Sequence, residues 1–71
     1  MTTRHILIDT GEAQNARFTI ETDGSPMEIL DRAMRIGFIT VPAGAARQQG
    51  AHESRTEEER IYPFARIVAV S

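Results

Sequence analysis

The sequence predicts a single α+β domain, residues 1–71, with one helix packed on one face of an antiparallel or mixed sheet in the order ββαβββ. Three observations predict it. Eight Ile stand against two Leu, and branching at Cβ favours pleated structure over helix. One segment, Ser25-Pro26-Met27-Glu28, carries the full start signal of a capped helix. Finally, 71 residues leave room for one layer of sheet with one helix across it, and for a core that buries only roughly 60% of the unfolded surface.

The elements follow in order. Thr3 to Asp9 alternates as a strand, with Ile6 and Ile8 on one face and His5, Leu7 and Asp9 on the other. The polar run Thr10 to Asn15 contains Gly11 and reads as a hairpin connection. Arg17 to Thr22 alternates more cleanly, Phe18 and Ile20 inward, Arg17, Thr19 and Glu21 outward. Ser25 then caps a helix over about Pro26 to Ile36 that Gly37 ends in the left-handed region. Met27, Leu30, Ala33 and Met34 form its core stripe, flanked by Ile29 and Ile36, with Glu28, Asp31, Arg32 and Arg35 opposite. Phe38 to Val41 is a short strand stopped by Pro42. Arg60 to Val70 divides at Pro63, which removes a ladder donor: strand Arg60–Tyr62, a tight or 3₁₀ turn through Arg66, and the apolar strand Ile67–Val70.

A hairpin, a capped helix and returning strands resemble the ubiquitin β-grasp in layout. The closing Val68-Ala69-Val70-Ser71 has no Gly-Gly tail of a conjugated modifier, and no function is carried over.

The segment 42–59 contains no large hydrophobe and is expected to be a mobile loop within the domain. It carries a net charge equal to the whole chain's −2. Loops of this length without structure of their own tend to be functional or disordered, so Arg47, His52, Arg55, Glu57 and Glu58 are the candidate partner-binding residues. A single helix covers one face of a sheet, so Leu7, Val68 and Val70 are candidates for an oligomer interface.

Composition removes several chemistries. Without Cys there is neither a disulfide nor a thiolate metal site. The two histidines, His5 and His52, show no recognised metal spacing within one chain, and His5 and Asp9, about 13 Å apart along a strand, are too far for a dyad. The five glycines form no phosphate-binding motif. All eight basic residues are Arg, a bias that codon usage in a GC-rich genome explains more simply than a binding surface does. With acids in excess, nucleic acid is disfavoured. No apolar run approaches the roughly 20 residues of a membrane span, so a cytoplasmic protein without a membrane partner is expected.

The expected function is a small, non-catalytic, cofactor-free module that binds a protein partner, an adaptor or inhibitor of accessory or phage-encoded type, working as a homodimer or higher homo-oligomer. Two alternatives stand beside it. One is a nucleic-acid-binding regulator using Arg4, Arg17, Arg47 and Arg55; the other is an oligomeric enzyme with His5 or His52 at a subunit boundary.

Overall fold

A computed structural model describes all residues, Met1–Ser71. Strands β1 (Thr2–Ile8) and β2 (Ala16–Thr22) form the first hairpin, followed by helix α1 (Pro26–Ile36) and β3 (Phe38–Val41). β4 (Ala46–Gln49) and β5 (His52–Arg55) make a second hairpin, and β6 (Arg60–Pro63), a 3₁₀ turn (Phe64–Arg66) and β7 (Ile67–Val70) close the chain. The α+β class and the ββαβββ order hold, with the second hairpin inserted after β3. No helix is long and apolar enough to cross a membrane.

There are two antiparallel sheets rather than one. Five strands follow the order β5-β4-β2-β1-β7, and β3 pairs with β6 in a separate ribbon. The break lies where Pro63 and the 3₁₀ turn divert the chain, so that β6 joins β3 and only β7 returns to β1. β7 is an edge strand running antiparallel to β1, whereas a β-grasp joins its first and last strands in parallel. The resemblance therefore ends at the order of elements.

The cap of α1 is the one the residues prescribe. The Ser25 hydroxyl accepts from the Glu28 N–H at 3.2 Å, the Glu28 carboxylate accepts from the Ser25 N–H at 3.4 Å, and Gly37 ends the helix at φ 99°. The inward face differs from expectation. Ile29 and Ala33 are buried, whereas Met27 is 77% and Met34 58% exposed. Both flanks of this helix are apolar, and the compact pair Ile29 and Ala33 lets α1 approach the sheet closely, which long Met side chains would hinder.

The core is small. Ile6, Ile8, Ala16 and Phe18 of the large sheet meet Ile29 and Ala33 of α1, Ile39 and Val41 of β3, and Ala45. Phe18 is fully buried, with the Tyr62 ring tilted against it at 5.5 Å between centroids.

The segment 42–59 is not a mobile loop through its length, because β4 and β5 occupy its middle. β4 pairs with β2 over Arg17–Thr19, and β4 with β5 from Ala46↔Arg55 to Gln49↔His52. Gly50, at φ 60°, turns the hairpin. Polar side chains do the work that hydrophobes do elsewhere. Arg47 lies opposite Phe18 and sets its guanidinium 5.6 Å from that ring's centroid, while the Gln49 amide donates to the Gln14 carbonyl at 2.7 Å. Buried Thr56 fastens the base: its hydroxyl donates to the Pro42 carbonyl at 2.8 Å, and its backbone exchanges bonds with Ala45 and Gly44.

Candidate binding groove

The residues proposed from sequence for partner binding do not converge. Arg47 is turned inward with its side chain only 24% exposed, covering Phe18 and pairing with Glu12 at 3.6 Å. His52 sits beside the hairpin turn, while Arg55, Glu57 and Glu58 are exposed at the other end of β5. Arg55 is tied down as well, donating to the Gly44 carbonyl at 2.9 Å. Of the proposed interface residues, Val70 lies opposite Ile6 and packs against the core. Leu7 is half-buried opposite Ala69, and Val68, beside the β1–β7 register shift, is 53% exposed.

The alternative sets are equally dispersed. Arg4 is half-buried and donates to the Gly24 carbonyl at 3.1 Å, so with Arg47 it is held in structural contacts; Arg17 and Arg55 remain at the surface. His5 bonds Thr19 through Nδ1 at 3.1 Å on β1. His52 is on β5, three strands away, which is about 14 Å at sheet spacing. One chain does not bring the two imidazoles together.

A different set of residues does converge. One flank of α1 supplies Ile29, Ala33 and Ile36, the last residues of β2 supply Ile20, and β3 supplies Phe38 and Ile39. Together they line a groove of about 350 Å³, near the lower bound of ligand-sized cavities. Its rim is polar, with Glu21 and Thr22 on one side, Arg32 on the helix and Thr40 on β3, and Pro42 closes the end beyond β3. Ile36 is 56% and Phe38 41% exposed at its mouth. Covering what remains of either side chain is worth on the order of 1 kcal/mol.

Strand pairing gives this groove a second property. β4 covers only Arg17–Thr19 of β2, so Ile20–Thr22 have no strand partner on that side, where the turn Pro42–Ala45 passes beside Ile20 and Glu21. His5 exchanges both its backbone bonds with Ser71, which fixes the alternation along β1 and, through the register, along β2. By that alternation Glu21 directs its N–H and C=O away from β1, past the start of β4. β3 is paired only with β6, so its other edge is open too. The cause is local. Pro42 ends β3 without an N–H to offer, and Gly44 at φ 85° turns the chain so that its amide bonds Thr56.

Sequence reasoning missed these residues because Ile20 reads as an ordinary inward strand position and Ile29 as the flank of the helix stripe. The available signal was the spacing Ile36-Gly37-Phe38, which puts two large hydrophobes on either side of a helix stop that turns sharply. Comparisons with protein families, curated proteins and solved structures found no match.

Proposed function

We propose that this protein is a non-catalytic binding module that captures an extended segment of a partner protein, as an adaptor or inhibitor does. The observation that supports this reading is the groove between α1 and β3 with the unpaired edge of β2 along its side. An incoming strand gains backbone hydrogen bonds from Glu21 and places an apolar side chain between Ile36 and Phe38. Strand addition takes affinity from the main chain and specificity from such pockets. Charged residues flanking the apolar one find Arg32 on one wall and Glu21 on the other.

The test is selection of linear peptides against the protein, followed by calorimetric titration of the enriched sequences. Selected peptides should carry alternating apolar residues and no proline at the pairing positions. Two variants that leave the fold intact should abolish their binding. Ile36→Lys puts a charge in the groove at an exposed helix end that tolerates a cation, and Glu21→Pro deletes the donor on the unpaired edge. Binding that survives both variants would remove this reading.

A further inference from the structure

The opposite flank of α1 and the outer edge of β7 point to a second copy of this chain. On that flank Met27, Leu30 and Met34 form a ridge beside Phe64, the residue that opens the turn into β7. Below it lies an edge strand of unusual composition. β5, the other edge of the large sheet, is protected by His52, Glu53 and Arg55, whereas Ile67–Val70 carries neither charge nor proline. Natural edges are normally blunted by such residues, and an unblunted edge is a template for another strand. The alternation that gives Ser71 to β1 turns the Val70 N–H and C=O outward.

We propose that two copies join β7 to β7 in antiparallel register, making one continuous sheet across a twofold axis, with the two α1 ridges packed against each other on the same side. An isologous contact must be self-complementary. Both parts are. An antiparallel strand pair satisfies itself, and α1 carries an acid, Glu28, in its first turn and a base, Arg35, in its last. A twofold through the sheet sets the helices antiparallel, so the acidic turn of each faces the basic turn of the other. Parallel helices would set like against like.

This inference stands apart from the groove, which lies on the other flank of α1. Sedimentation velocity at micromolar concentration should show a dimer for the wild type. Met34→Glu and Val68→Lys, both at exposed positions, should each weaken it at least tenfold while circular dichroism stays native. Ile36→Lys should remain a dimer, and Met34→Glu should still bind groove peptides, so the two readings fail separately. The arrangement itself is read by mixing Glu28→Arg chains with Arg35→Glu chains. Each alone repels its own copy, whereas the mixed pair restores both contacts, and heterodimer should exceed the half that random pairing gives. A monomeric wild type, dimers that survive both Met34→Glu and Val68→Lys, or statistical mixing of the charge-swapped chains would overturn the proposal.

Discussion

Replacing Thr56 by Val tests whether the second hairpin is an integral part of the domain. The substitution keeps shape and β-branching and removes one hydroxyl, which donates to the Pro42 carbonyl at 2.8 Å and lies 3.3 Å from the Ala45 carbonyl. Neither carbonyl is orphaned by its loss. Pro42 still accepts from the Ala45 N–H at 3.3 Å, and Ala45 from the Thr56 N–H at 3.0 Å. The cost is therefore that of a net hydrogen bond, about 1 kcal/mol, rather than the roughly 3 kcal/mol of a buried group left without a partner. The unfolding entropy scales with chain length, so in a domain of 71 residues 1 kcal/mol should lower the thermal midpoint by about 4–8 °C. Melting curves by circular dichroism measure this, with Thr40→Val, on an exposed site of β3, as the control. Hydrogen exchange should also quicken at the Gly44 and Thr56 amides. An unchanged midpoint for Thr56→Val, or a drop equal to the control's, would refute the reasoning.

Arg47→Ala should destabilise by about 1 kcal/mol in urea titrations, because it uncovers the Phe18 ring, while Glu12→Ala should cost almost nothing because that carboxylate is 61% exposed. Gly37→Ala should cost about 1–2 kcal/mol by the same measurement: a Cβ there meets no atom within 4 Å, so the whole penalty is the left-handed backbone at φ 99°. Exchanging residues 46–55 for a short Gly/Ser turn should lower the melting temperature more than Thr56→Val does, since it strips both the β2 pairing and the cover over Phe18. A full-strength melt of that variant would show that the hairpin is an appendage.

Much of the fold was legible where hydrophobic period or backbone chemistry speaks directly. The capping box at Ser25 and Glu28, the αL stop at Gly37 and the division of the last strands at Pro63 each follow from a local constraint that tertiary structure had no reason to override. The β4–β5 hairpin was hidden for a physical reason. Its inward positions are Arg47 and Gln49, which pack through an aliphatic stem and an amide bond, so a search for alternating hydrophobes finds nothing to register. The orientation of α1 was ambiguous in the residues themselves. A helix apolar on two flanks does not say which flank the sheet will take, and the choice of Ile29 and Ala33 is what leaves Met27 and Met34 outside. The groove depends on where β4 stops along β2, a tertiary fact that no stretch of sequence encodes alone.

The most direct test of the binding reading is amide exchange along β2, followed residue by residue by NMR. In the free protein the Arg17 and Thr19 amides, which face β4, should exchange slowly and the Glu21 amide quickly. Saturation with a selected peptide should slow Glu21 by at least tenfold and shift the methyl signals of Ile36 and Ile20. A bound peptide that leaves Glu21 exchanging freely while protecting the β4–β5 hairpin would place the working surface elsewhere and contradict the account.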